Sequence, residues 1–119
     1  MSKTILVVDD QPGIRILLEE VIRNEGYHVT LAENGIEAME EFKQHHPSLV
    51  ILDMKLPGKD GPTVAREMEQ LSPSTPIVFI SGLAEEEWEE VRTIESVRTI
   101  LAKPFDIYEI KDILKEYSV

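Results

Sequence analysis

Short apolar runs alternate with segments of helical periodicity along the chain. Three of these runs, residues 5–8, 49–52 and 77–80, are rich in β-branched side chains and contain no polar position. Uninterrupted runs of this length are typical of strands that are buried on both faces of a sheet. Residues 27–32 and 97–102 include polar positions, and they predict weaker strands nearer the sheet edges.

Between the predicted strands, apolar residues recur every three or four positions, as on one face of a helix. A first helix ends before Gly26, a second starts near Asn34, and a third opens at Gly61-Pro62. A fourth is predicted near residues 84–94, and a fifth follows Asp106, with Glu109 completing a capping box. The apolar stripes are Ile14, Leu17, Leu18, Val21 and Ile22 in the first helix, Ile36, Met39 and Phe42 in the second, Val64, Met68 and Leu71 in the third, and Ile107, Ile110, Ile113, Leu114 and Tyr117 in the fifth.

This alternation predicts an α/β fold, a doubly wound five-stranded parallel sheet with five helices on its two faces. In such a sheet the functional site lies beyond the carboxyl ends of the strands. The residues that directly follow each apolar run are therefore the candidates for chemistry.

Composition narrows the classes of function. The 119 residues suit one domain, and the absence of cysteine excludes disulfides and thiolate metal sites. The 12 basic residues face 23 acidic ones, a net charge of −11, which argues against a nucleic-acid partner. The N-terminal apolar run is too short for a signal peptide or a membrane span, so we expect a cytoplasmic protein without membrane contact.

Polar groups follow four of the predicted strands. Asp9 and Asp10 come after the first, Asp53 after the third, Ser81 and Gly82 after the fourth, and Lys103 after the fifth. Neighbouring carboxylates repel each other, and we expect a hard cation, Mg²⁺, to offset this repulsion. A carboxylate can also act as a nucleophile toward phosphorus, with an amine and a hydroxyl stabilising the charge on the transferred group.

Four segments carry a family resemblance: VVDD (7–10), LDMKLPGKDG (52–61), SG (81–82) and AKPFD (102–106). In this order they resemble the receiver domain of bacterial two-component response regulators, and the resemblance covers essentially the whole chain. It implies a flavodoxin-like sheet of order 2-1-3-4-5 and a single receiver domain over residues 1–119, with no output domain. It implies that Asp53 takes a phosphoryl group from a phosphohistidine. It further implies that Mg²⁺ (or Mn²⁺) binds to Asp10, Asp53 and the backbone carbonyl of Lys55, and that Asp9 acts partly through water. Lys103 would bond to the phosphoryl group, and Ser81 would shift to meet the same group. The peptide bond before Pro104 would be cis.

Residues 9–27 and 102–110 are similar, more narrowly, to the single-domain phosphotransferases of sporulation phosphorelays. That similarity implies a monomer whose partner is a sensor histidine kinase or a helical-bundle histidine phosphotransferase. One of Leu17 and Leu18 should pack in the core instead of touching a partner. By analogy with these receivers, Lys55 and Leu83 flank the route by which water reaches the phosphoryl group and hydrolyses it. The implied contact residues are Gln11, Gly13, Ile14, Leu17, Leu18, Pro57, Gly82, Leu83, Pro104 and Phe105.

Other interpretations remain open at this point. Ile100 stands where many receivers carry an aromatic switch residue, so signalling through such a switch is doubtful. A receiver-like adaptor that is never phosphorylated is one alternative, although the complete acidic set argues against it. A phosphatase-like hydrolase with an Asp nucleophile would want a second Asp two positions on, where Lys55 stands. A flavin-binding module would need a phosphate-cradling loop after the first strand, and this sequence has none there.

Trp88 is expected to pack with Val91.

Overall fold

The structure, a computed structural model, describes residues 3–82 and 88–117. Its strands and helices alternate along the chain, as the hydrophobic pattern predicts. The strands are β1 (Thr4–Val8), β2 (His28–Ala32), β3 (Leu49–Asp53), β4 (Ile77–Ser81) and β5 (Val97–Ala102). The helices are α1 (Pro12–Asn24), α2 (Gly35–His45), α3 (Gly61–Leu71), α4 (Glu89–Arg92) and α5 (Ile107–Tyr117).

The five strands form one parallel sheet in the order β2-β1-β3-β4-β5, which confirms the predicted fold class. The weaker strands β2 and β5 lie at the edges, as their polar positions indicate. Four of the five helices comprise eleven residues or more, whereas α4 comprises four residues in the part of the chain that is described. Residues 83–87 of the predicted fourth helix lie outside the described residues.

Two apolar clusters cover the two faces of the sheet. Side chains of α1 and α5 pack on one face, around Leu18, Ile22 and Ile110. Side chains of α2, α3 and α4 pack on the other, around Phe42, Met68 and Val91. Alternate residues of the runs 5–8, 49–52 and 77–80 contribute to opposite clusters, which explains why these runs contain no polar position.

Side-chain caps fix where three helices begin. The Asn34 side chain accepts from the backbone N–H of Glu37 at 2.8 Å, and Asp60 caps α3 at 2.9 Å. Asp106 and Glu109 form the predicted reciprocal capping box. These caps satisfy backbone donors that have no partner inside the helix.

The predicted apolar stripes are wider than the buried faces. Leu17, Ile36 and Leu71 are exposed, although each belongs to a predicted stripe. Leu17 and Ile36 are turned away from the buried faces of their helices, and Leu71 is the last residue of α3. Within the described residues, no helix is long and apolar enough to cross a membrane.

Candidate functional site

The carboxyl ends of β1, β3, β4 and β5 bring the expected polar groups to one edge of the sheet. Asp9 and Asp10 directly follow β1, Asp53 ends β3, and Lys103 follows β5. Asp10, Asp53 and Lys103 line a cleft of about 350 Å³, here called the acidic cleft, and Asp9 is buried beside them. The lining residues of the cleft are Asp10, Gln11, Asp53, Met54, Lys55, Gly82 and Lys103.

The three aspartates can direct their oxygens toward one point. Asp9, Asp10 and Asp53 each offer a carboxylate oxygen within 4.8 Å of the others. Asp9 is fully buried and Asp53 is 5% exposed, whereas Asp10 is open to solvent. Buried like charges at this separation repel strongly, so the arrangement requires positive charge nearby.

Lys103 supplies part of that charge. Its Nζ lies 3.3 Å from Asp9 Oδ2 and 3.4 Å from Asp53 Oδ2. Asp9 Oδ2 nevertheless accepts no hydrogen bond from the described residues, so the contact with Lys103 is electrostatic and its geometry is poor for a hydrogen bond. One ammonium group cannot neutralise three carboxylates, and a buried, unsatisfied oxygen remains beside the cleft.

The environment of Asp53 opposes its ionisation. Burial raises the pKa of the Asp53 carboxyl above its usual value, and the negative charge of Asp9 adds to this effect. Lys103 and a hydrogen bond from the backbone N–H of Lys55 act in the opposite direction. A cation bound between the carboxylates would favour the ionised form.

Backbone contacts hold the acidic loops in place. Gln11 N–H donates to Asp9 Oδ1 at 2.9 Å, and the Arg15 guanidinium donates to the Asp9 carbonyl at 2.7 Å. Arg15 also lies 3.5 Å from Glu33, so it joins the loop after β1 to the loop after β2. Nothing in the sequence pattern pointed to Arg15, because a single arginine on a helix carries no motif.

Ser81 ends β4 beside Asp53, yet its side chain is not part of the cleft lining. It is 1% exposed, and its Oγ accepts a hydrogen bond from the indole Nε1–H of Trp88 at 3.1 Å. Trp88 packs against the cluster that contains Val91, as expected, but its hydrogen bond to Ser81 could not be predicted from the sequence.

A scan against protein-family models matches residues 5–115 to the response regulator receiver domain. The chain belongs to this family. Members are phosphoacceptors in two-component and phosphorelay signalling, and the predicted function class is thereby confirmed.

Curated relatives and solved structures agree with this assignment. Sporulation initiation phosphotransferase F of Bacillus subtilis is 40% identical over 98% of this chain and 94% of its own length. The chemotaxis protein CheY of the same organism is 30% identical, with 88% of each chain covered. The receiver domain of sensor histidine kinase PA1611 from Pseudomonas aeruginosa has a TM-score of 0.85 at 27% identity and covers 98% of both chains. Its crystal structure contains a magnesium ion coordinated in the active-site cleft.

The residues expected to contact a partner differ in their exposure in this receiver. Leu18 is fully buried in the core, so its expected place in a contact surface is wrong, whereas Leu17 is 39% exposed. Ile14 and Phe105 are half-buried over the face that α1 and α5 cover. Leu83 lies outside the described residues. The remaining members are exposed: Gln11, Gly13, Pro57, Gly82 and Pro104. The peptide bond before Pro104 is cis, as the resemblance implied.

Proposed function

We propose that Asp53 is the phosphoacceptor of this receiver and that its donor is a phosphohistidine. The observation that carries the proposal is the pairing of a nearly buried carboxylate with the Lys103 ammonium, 3.4 Å from Asp53 Oδ2, at the floor of an open cleft. A carboxylate oxygen of Asp53 forms the new P–O bond. The P–N bond of the donor breaks, and its electron pair returns to the imidazole nitrogen.

The donor set of the acidic cleft fits Mg²⁺, or the similar Mn²⁺. The three carboxylates are hard oxygen ligands, no His or Cys is among them, and Asp9 Oδ2 is buried without a hydrogen bond from the described residues. Asp10, Asp53 and the Lys55 carbonyl would hold the ion, and Asp9 would act partly through water. The ion would supply positive charge to a phosphoryl oxygen during transfer.

The remaining groups of the cleft have complementary roles. The Lys103 ammonium binds a second phosphoryl oxygen, which moves it away from Asp9 and Asp53 toward the new group. The Ser81 hydroxyl donates to a third oxygen once its side chain has turned toward the cleft. Gly82 presents no side chain at the mouth, so it leaves an entry path, and Lys55 and Leu83 flank the approach of water.

The partner is a histidine kinase or a histidine phosphotransferase with a helical bundle. The support is the exposed surface of α1 beside the cleft and the similarity to sporulation initiation phosphotransferase F. We place this receiver in the cytoplasm as a monomer. Contacts come from Leu17 and the exposed residues Gln11, Gly13, Pro57, Gly82 and Pro104, with Ile14 and Phe105 contributing their exposed edges.

Intact mass after incubation with acetyl phosphate tests the acceptor. The wild type should gain one phosphoryl group only when Mg²⁺ is present, and Asp53→Asn should gain none. Asp60→Asn is the matched control, because Asp60 caps α3 and does not line the acidic cleft. An unchanged adduct on Asp53→Asn contradicts the acceptor assignment. Absence of an adduct on the wild type favours an adaptor, and steady release of phosphate from added phosphate esters favours a hydrolase.

A further inference from the structure

A hydrogen bond links Ser81 to the only tryptophan of the chain. The indole Nε1–H of Trp88 donates to Ser81 Oγ at 3.1 Å, within the ordinary range for such a bond. Ser81 is almost fully buried and directly follows Ile80, which pairs with Asp53 across the sheet. The indole therefore contacts Ser81, which is one residue away from the strand partner of Asp53, the proposed phosphoacceptor.

The ring of Trp88 packs outside the lining of the acidic cleft. It packs against the cluster of Phe79 and Val91, and the Arg92 guanidinium lies 5.9 Å from the ring centroid. Trp88 also lines a separate pocket of about 300 Å³ with Ile100 and other residues of α4 and β5. The apolar cluster thus holds one side of the indole, and the pocket beside Ile100 provides space into which the ring can move.

The chemistry of the hydroxyl makes this bond relevant to phosphorylation. A serine hydroxyl has one donor and two acceptor positions, and phosphoryl oxygens only accept. Ser81 can meet a phosphoryl group only by directing its O–H into the acidic cleft, whose lining does not include Ser81. The bond from Trp88 instead fixes the oxygen toward α4.

We propose that Trp88 is a positioning residue, whose indole N–H holds the Ser81 hydroxyl out of the acidic cleft until Asp53 is phosphorylated. The inference rests on the proposed function, since it needs a phosphoryl group at Asp53. The two arrangements need the Ser81 hydroxyl in different positions, toward α4 or in the acidic cleft, so phosphorylation and the Trp88 bond compete for one side chain. Loss of a single neutral hydrogen bond changes such an equilibrium about fivefold. The Trp88 bond therefore sets how readily the phosphoryl-bound arrangement forms.

The indole N–H resonance of Trp88 gives the most direct test, because the chain contains no other tryptophan. We would measure the hydrogen exchange of this N–H by NMR, with Mg²⁺, before and after adding beryllofluoride as a phosphoryl mimic. In the wild type, exchange should become faster when the mimic binds. In Ser81→Ala it should be fast in both states, while Ser81→Thr, which keeps the hydroxyl, should behave as the wild type does. Equal exchange in the two states of the wild type, with the mimic bound, overturns the proposal.

A second variant separates the hydrogen bond from the packing. Trp88→Phe keeps an aromatic ring but removes the donor, and it should bind the mimic about fivefold more tightly. Arg92→Gln removes the cation beside the ring but leaves the indole donor, and its affinity should equal that of the wild type. An unchanged or weaker affinity of folded Trp88→Phe overturns the proposal.

Fluorine NMR of the same samples reports whether the mimic is bound. Bound fluoride without a change at Trp88 contradicts this inference alone. No bound fluoride, together with no adduct from acetyl phosphate, contradicts the proposed function and this inference with it.

Discussion

Gly61 lies against the carbonyl of Asp53. A Cβ built on Gly61 would be 2.5 Å from that oxygen and 2.9 Å from the Cα of Met54, both of which are backbone atoms. The Gly61 N–H also donates to the Met54 carbonyl at 3.0 Å. The start of α3 is thus packed directly onto the end of β3, and this contact fixes the backbone that carries the proposed phosphoacceptor.

Gly61→Ala should therefore damage both stability and phosphorylation. The backbone cannot move aside as a flexible side chain would, so overpacking should cost about 1–3 kcal/mol of unfolding free energy. The shift of Asp53 should also slow its reaction with acetyl phosphate. Urea denaturation and intact mass measure the two effects.

Gly13→Ala is the matched control for this change. Its new Cβ would have no atom within 4 Å, and Gly13 lies in the first turn of α1. Stability should be unchanged or higher, because alanine favours a helix over glycine by up to about 1 kcal/mol. Equal stability of the two variants would show that the contact between Gly61 and Asp53 is not tight in solution.

Substitutions of Leu17 and Leu18 distinguish partner contact from core packing. Leu18→Ala should cost about 2–5 kcal/mol, because Leu18 is fully buried against the sheet. Leu17→Ala should leave stability nearly unchanged but slow phosphoryl transfer from a phosphorylated histidine bundle. Acetyl phosphate needs no docked protein, so its reaction with Leu17→Ala should match the wild type. Equal slowing with both donors would contradict a docking role for Leu17.

The positions of Asp9, Asp53 and Lys103 could be predicted because each directly follows an apolar strand, and parallel strands end at one edge of a sheet. Side-chain contacts between different helices and strands could not be predicted from the sequence. The hydrogen bond from Trp88 to Ser81 joins two elements, and the sequence around Trp88 indicates packing or a partner contact but no hydrogen bond inside the protein. The separation of Leu17 from Leu18 depends on the exact rotation of α1 about its axis, which a stripe of adjacent leucines leaves open. The contact between Gly61 and Asp53 is invisible in the sequence, where Gly61 indicates only the start of a helix.

The cap at Asp60 should make the stability of α3 depend on pH. Hydrogen bonds from Thr63 lower the pKa of the Asp60 carboxyl below its ordinary value of 3.8. Because the folded state binds the Asp60 proton less tightly than the unfolded state does, the ionised cap stabilises the fold above pH 3.8. This stabilisation is lost as the pH falls through the lowered pKa of Asp60. Asp60→Asn keeps an acceptor for the cap but does not titrate, so the difference in unfolding free energy between it and the wild type should change in this acidic range. A constant difference would contradict the role of the ionised cap. Asp60→Ala should lose about 1 kcal/mol near neutral pH.

Mg²⁺ should stabilise the folded protein in thermal unfolding. A ligand that binds only the folded state adds about 2.7 kcal/mol at a hundred times its Kd. Asp10→Asn should reduce the gain, whereas Asp60→Asn should keep it. Without Mg²⁺, Asp53→Asn should be more stable than the wild type, because it removes one of the converging charges. A gain from Mg²⁺ that is the same in Asp10→Asn would place the ion elsewhere.

The chemical identity of the phosphorylated residue is the most direct test of the central claim. Borohydride reduces an acyl phosphate of aspartate to homoserine, which peptide mapping by mass spectrometry can locate. After phosphorylation by a histidine donor with Mg²⁺, we expect homoserine at position 53 and at no other aspartate. Homoserine at Asp9 or Asp10, or a phosphoryl group that resists reduction, would contradict it.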